Sequence, residues 1–500
     1  MTAPSILSNG SDMVESFRRY GLDISIDLVN SALDGATYLT DDRIEGTVTL
    51  TAKRECQFDQ IGIAFEGTSK TSIPRATVFT GQTGARHKFL KLRQPIDENE
   101  YPASRTLSPD QKYKFNFVFV VPGRLLPQSC SHETDHVHMK EAHLRTPPTL
   151  GDPITADDRQ ILDDMAPETC QISYGIRVLI LRKSRVNDQR VLGEATRKVR
   201  ILPALDSLQL PLNESSVMNE KCATLKTRFT GHRLGDLVLS TAEPRPILLS
   251  PPQYNASNAA PTAVEVQVRY RPDSDEPPPR LDTIRSKLEA STLYTAEPWK
   301  DYPPKHGAMT FTHTRRATAL KSIPLSSFSL KTIKWVKSTS HDCYTTSQAT
   351  GPIPRTECFS DSSLREGTYY TTSITVPITL PSSKDFVPTF HSCLISRIYT
   401  IDLSLSFNMA SSHFITRSVS LQVPTQIIYS RTHEITAVHP KHASGNIMGH
   451  SPTLITTIPS SLGFRLPEDH ISESGVFCGG QKDYPMPPAY LDIMRGILPP

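Results

Sequence analysis

Between Tyr113 and Val121 an apolar side chain falls on every second residue. Tyr113, Phe115, Phe117, Phe119 and Val121 alternate with Lys114, Asn116, Val118 and Val120. A period of two puts the first set on one face of a β-strand. Four aromatic rings on one face demand a facing apolar layer, each ring contributing roughly 1.5–3 kcal/mol once covered. The second face turns apolar toward its end, which places the strand inside a sandwich. Pro122 ends the ladder because it has no N–H to donate. The chain then runs through Leu125-Leu126-Pro127-Gln128-Ser129 and a His-rich segment to Leu144-Arg145-Thr146-Pro147-Pro148-Thr149-Leu150-Gly151. The Pro-Pro turn sends it back toward a new strand, a Greek-key-like crossing.

Period-two stretches recur on both sides. Leu22–Leu28, Ile44–Leu50 and Ile61–Phe65 precede it, the last closed by Gly67, with 68–86 read as a polar loop. Thr155-Ala156-Asp157-Asp158 resembles a capping box, and Ile161, Leu162 and Met165 share a helical face that Pro167 stops. Ile172–Ile180 and Arg197–Leu202 follow as strands. A second set comprises Leu237–Leu239, Val264–Tyr270, Phe328–Val336, Ser373–Leu380, Ile398–Phe407 and Val419–Val423, with a short helix at Leu281, Ile284 and Leu288. Strands every 8–15 residues separated by turn chemistry predict an all-β chain. Five hundred residues exceed one core.

The run FNFVFVVPGRLLPQS followed by HLRTPPTLG resembles the end of the arrestin N-terminal sandwich, and most closely that of fungal alpha-arrestins. Phe386-Val387-Pro388-Thr389-Phe390-His391-Ser392-Cys393, leading into ISRIYTIDLSLSF, resembles an arrestin C-terminal strand pattern. The resemblance implies two tandem immunoglobulin-like β-sandwiches, 21–205 and 206–435. A flexible tail is expected over 1–20 and a mostly disordered one over 436–500, where alternation gives way to Ser, Thr, Gly, Pro and His.

Two tetrapeptides carry the functional reading: Pro251-Pro252-Gln253-Tyr254 and Pro487-Pro488-Ala489-Tyr490. Both are PPxY. Paired prolines preset a polyproline II turn, so little entropy is lost on docking into the aromatic groove of a WW domain. With 41 prolines and 16 tyrosines in 500 residues, about 0.1 such tetrapeptide is expected by chance. Alpha-arrestins are adaptors for WW-domain HECT-type ubiquitin ligases. The resemblance therefore implies that Pro251, Pro252, Tyr254, Pro487, Pro488 and Tyr490 recruit the ligase. The sandwiches would engage a membrane transporter or receptor and promote its ubiquitination and endocytosis. An arrestin-like signalling scaffold that does not drive degradation is the alternative. The implied location is the cytoplasm, with recruitment to plasma membrane and endosomes.

Cys130, His132, His136, His138 and His143 include an H-x-x-x-H-x-H spacing that zinc could use. The favoured reading is a polar loop between β segments, with no metal or cofactor assigned. Basic residues gather at Arg86, Lys88, Lys91 and Arg93, and at Arg182, Lys183, Arg185, Arg190, Arg197, Lys198 and Arg200. They suit acidic cargo tails or anionic lipid, but ordinary solvated strand faces account for most of them. A net charge of +3 argues against nucleic acid as partner. No apolar run of about 18 residues exists to span a membrane, and the start has no signal-peptide pattern. Eight cysteines without a C-x-x-C fit a reducing compartment. No G-x-S-x-G, P-loop, G-x-G-x-x-G or H-E-x-x-H is present, so no enzyme is predicted.

Overall fold

The computed structural model describes residues 21–29, 37–74, 82–152, 162–183, 189–205, 218–227, 230–249, 262–273, 276–303, 315–339, 368–409 and 412–430. All fall in the compact unit Met1–His433. Both terminal tails expected from the sequence, 1–20 and 436–500, lie outside the described residues. The first half forms β1 (Leu22–Leu28), β2 (Thr37–Leu39), β3 (Arg43–Ala52), β4 (Cys56–Gln57), β5 (Gln60–Pro74), β6 (Gln82–Gln94), β7 (Thr106–Leu107), β8 (Lys112–Val120), helix α1 (Val137–His143), β9 (Cys170–Lys183) and β10 (Gln189–Leu202).

Two sheets make the first sandwich. One has the order β1-β3-β8, the other β2-β10-β9-β5-β6. The aromatic strand is β8, and Phe115, Phe117 and Phe119 are buried as its period requires. Phe119 meets Phe65 of the opposite sheet at 6.0 Å between ring centres, and Phe65 stacks on Tyr174 at 5.9 Å. Gly46 of β3 makes room for this layer: a Cβ there would lie 2.5 Å from the Phe117 ring and 2.4 Å from the Asp27 carbonyl.

Gly67 does not close β5. The strand passes through it with a register shift and continues to Pro74, pairing with β6. The expected loop over 68–86 is thus largely strand, with 75–81 outside the described residues. The continuation was invisible to a hydrophobic period because its inward positions are Ser69 and Thr71, each 1% exposed.

The second half adds β11 (Ala204–Leu205), β12 (Met218–Lys226), β13 (Arg233–Ala242), β14 (Ile247–Leu249), β15 (Thr262–Pro272), β16 (Arg280–Thr295), β17 (Arg316–Ser329), β18 (Val336–Thr339), β19 (Thr368–Ile378), β20 (Phe390–His391), β21 (Ile395–Met409), β22 (Ser412–Thr425) and β23 (Ile427–Ser430). One sheet runs β12-β13-β15-β19-β18. The facing sheet runs β17-β16-β21-β20, with β22 also paired to β21. Val264, Val266, Val268, Leu288, Ile401, Leu403 and Leu405 fill the space between them.

The helix expected at Leu281, Ile284 and Leu288 is strand β16. A bulge inserts Asp282 between Leu281 and Thr283, shifting the inward phase by one. The next inward residue after Ile284 is the polar Ser286, so the apolar spacing imitates a helix. The strand expected over Phe328–Val336 is broken instead. β17 ends at Ser329, Leu330 turns inward, and the Trp335 indole N–H donates to the Pro279 carbonyl at 2.9 Å before β18 begins.

The helix expected through Leu162 and Met165 is also absent where the chain is described; 153–161 lie outside. Residues 162–167 are non-helical, and Met165 takes a positive φ of 62°. The Asp163 and Asp164 carboxylates accept from the Met165 and Ala166 amides at 2.8 and 2.9 Å, a local turn that competes with a helix. Met165 is buried in the core of the second sandwich. The one α-helix among the described residues, α1, falls in the His-rich segment read as a loop. Its Met139 is buried against Leu293 and Trp299 of the second half.

Candidate functional site

Among the described residues, two polar clusters join the sandwiches besides single hydrogen bonds such as that from the Thr71 hydroxyl to the Thr295 carbonyl. The first is a charged seam. Arg200 of β10 pairs with Asp385, which precedes β20. Asp385 also donates its amide N–H to the Asp163 carbonyl at 3.2 Å, and Lys384 pairs with the Asp163 carboxylate at 2.8 Å. Arg397 of β21 is 0% exposed and donates through Nη1 to the Asp164 carbonyl at 3.1 Å. Its Nε and Nη2 have no hydrogen-bond partner among the described residues. The Tyr399 and Tyr429 hydroxyls donate to the Val387 and Phe386 carbonyls at 2.8 and 2.9 Å, fixing the backbone beside Asp385. Burial raises the Asp385 carboxyl above the ordinary value, outweighing the opposing pull of Arg200. Burial likewise pushes the Tyr399 hydroxyl up to about 12.

The second junction is a thiol and imidazole cluster. After β8 the chain enters a 3-10 turn, Pro127–Cys130, with Pro127 suited to its first position. The Ser129 hydroxyl ties this turn to the Phe89 carbonyl of β6 at 2.7 Å. The Leu125 amide donates to the Leu144 carbonyl at 2.7 Å, closing the loop on the end of α1. Cys130 is thereby buried, and His143 on the last turn of α1 points to the same place. From the second sandwich comes Cys393, in the turn between β20 and β21. The Ser392 hydroxyl donates to the Ile395 carbonyl at 2.8 Å, and the Trp299 amide donates to the Cys393 carbonyl at 2.9 Å.

Cys130 Sγ lies 3.4 Å from His132 Nε2 and 3.5 Å from His143 Nδ1. One ligand atom from each of Cys130, His132, His143 and Cys393 falls within 4.8 Å of the others. Burial raises both thiols and lowers His143 to about 4, with the nearby imidazoles of His132, His391 and His87 adding to the drop. His391 is lowered to about 4 by burial alone. Both thiols and the His143 imidazole are therefore uncharged at neutral pH. His136 and His138, grouped with these residues by sequence, are exposed and outside it. His136 instead faces Asp301 at 3.8 Å. Cys393 was missed because it lies in the distant FHSC segment.

Residues 28–206 match the family model described as Arrestin (or S-antigen), N-terminal domain. With the paired sandwiches, that match decides the fold. This is an arrestin-fold protein. No curated protein matches the chain.

The two PPxY motifs of this arrestin-fold protein, Pro251–Tyr254 and Pro487–Tyr490, lie outside the described residues. The first falls between β14 and β15, the second after β23. The basic residues are described in most cases, and many are engaged within the chain. Lys88, Lys91 and Arg177 surround Glu66 at 2.7, 3.7 and 3.6 Å. Lys198 pairs with Asp152 at 3.0 Å, and Arg182 donates to the Gln57 side chain at 3.0 Å. That engagement favours the reading of most of them as ordinary strand-face charges. Among the described residues no helix is long and apolar enough to cross a membrane.

Proposed function

We propose that the chain is an adaptor that brings a WW-domain HECT-type ubiquitin ligase to a membrane transporter or receptor, promoting ubiquitination and endocytosis of that cargo. Proteins of the arrestin family are generally adaptors rather than enzymes, and the match over residues 28–206 supports that role here. The observation that carries the ligase half is the pair of PPxY tetrapeptides, ending at Tyr254 and Tyr490, on one arrestin-fold chain. By sequence position the first falls between β14 and β15 and the second follows β23. Two copies could engage a multi-WW partner and raise avidity. The cytoplasmic face of plasma membrane and endosomes is the corresponding site of action.

Peptides spanning Gln481–Arg495 and Ile247–Ala259, titrated against isolated WW domains, should bind and lose binding on Tyr→Ala. The full chain carrying Tyr254→Ala and Tyr490→Ala together should no longer co-purify with the ligase. Unchanged co-purification would refute ligase recruitment through these motifs. Cargo that keeps its abundance when the motifs are mutated would move the scaffold alternative ahead.

A further inference from the structure

We propose that Cys130, His132, His143 and Cys393 form a tetrahedral zinc site that ties the two sandwiches together. Two thiols and two imidazoles are the donor set that structural zinc favours, and no carboxylate dilutes its preference for a borderline-soft ion. The spacing fits. Bonds of about 2.3 Å to sulfur and 2.0–2.1 Å to nitrogen give a tetrahedral S···N edge of about 3.5 Å. The two such edges at Cys130 are 3.4 and 3.5 Å. The widest ligand separation allowed by the cluster is 4.8 Å. A tetrahedral S···S edge is about 3.8 Å and an N···N edge about 3.3 Å, so closing onto an ion asks at most about 1.5 Å of movement.

The hydrogen bonding points the same way. His132 Nδ1 lies 3.0 Å from the Glu133 carbonyl, so it takes the donor role and leaves the Nε2 lone pair facing Cys130. A backbone carbonyl behind a ligating imidazole is the usual support for such a ligand. His143 is 1% exposed, and its Nε2 has no partner among the described residues. Its Nδ1 has only a thiol beside it, and sulfur is a weak hydrogen-bond partner. Polar groups buried with such weak mutual bonding are costly unless something else satisfies them. Four protein ligands, three of them buried, leave no position open for substrate, which makes the site structural rather than catalytic.

Three ligands come from the loop and helix after β8 and the fourth from the β20–β21 turn, so full coordination requires both sandwiches in place. The inference uses none of the PPxY residues and stands or falls apart from the ligase reading.

The test is cobalt(II) titration of the reduced, metal-free full chain, followed by displacement with zinc. The expected result is one equivalent bound, with the visible bands of tetrahedral cobalt and thiolate charge transfer. Cys393→Ser and His132→Ala should each weaken binding at least tenfold, about the least that loss of even a supporting partner costs a metal site. His138→Ala, outside the cluster, should bind as the unaltered chain does. His132 is partly exposed, so its replacement preserves a folded chain if Cys393→Ser does not. Absence of a tetrahedral spectrum would overturn the proposal. So would equal affinity in the unaltered chain and both cluster variants.

Discussion

The charged seam and the thiol–imidazole cluster do the same structural job with opposite chemistry. Each joins the sandwiches, and each takes its second-sandwich partners from one short stretch, Lys384 to Arg397. In the seam, opposite charges face one another. Burial still holds Asp385 above the ordinary carboxyl value despite Arg200. Such a pair fixes geometry more than it stabilises, because desolvation cancels much of the attraction. In the cluster thiols and imidazoles face one another instead. The seam's Arg200–Asp385 and Lys384–Asp163 pairs form within the chain, whereas the cluster is a set of lone pairs suited to an ion the chain does not supply. Metal supply should therefore separate the two junctions.

The largest separation between them should come from zinc. Zinc at 1,000 times its dissociation constant should stabilise the unaltered chain by about 4 kcal/mol. The gain, read as the shift of the chemical unfolding curve on adding a chelator, should vanish in Cys393→Ser. Next is Asp385→Ala, which strands Arg200 in a largely buried seam. It should cost about 3 kcal/mol, as breaking a buried pair does. The cost should be the same with and without chelator. If the junctions are independent, the combined variant should lose the sum of the two within about 0.5 kcal/mol. A larger discrepancy would mean that the Lys384–Arg397 stretch couples them.

Acidification should give a smaller effect at the seam. Because the folded carboxyl of Asp385 is raised above its ordinary 3.8, the folded state binds the proton more readily than the unfolded one. The stabilisation from that proton is fully present below 3.8 and is lost as pH rises through the folded value. The stability of the unaltered chain relative to Asp385→Asn should therefore improve as pH falls across that window. A difference that stays flat would show that Arg200 fully offsets burial. The smallest change is Tyr429→Phe, which removes one buried hydrogen bond to the Phe386 carbonyl. It should cost about 1 kcal/mol, measurable by denaturant unfolding, without altering metal binding.

Strands whose inward residues are apolar were legible in the sequence. β1, β8 and β9 carry clean alternation and form where it predicts. Legibility failed where the inward residue is polar, as at Ser69 and Thr71. It failed again where a bulge shifts the phase, as at Asp282, and where aspartates hold a left-handed Met165. The cluster was half legible. Cys130, His132 and His143 stood out as metal-type residues, but His136 and His138 stood out equally and Cys393 not at all. Spacing along a loop does not tell which side chains turn inward. It also does not reveal that a turn in the other sandwich supplies the fourth ligand.

X-ray absorption at the zinc edge of the full chain loaded with one equivalent is the most direct test of a metal closing the second junction. The expected result is a four-coordinate shell of two sulfurs at about 2.3 Å and two imidazole nitrogens at about 2.0–2.1 Å, with one sulfur lost in Cys393→Ser. A shell of oxygens alone, or one unchanged by that substitution, would contradict it.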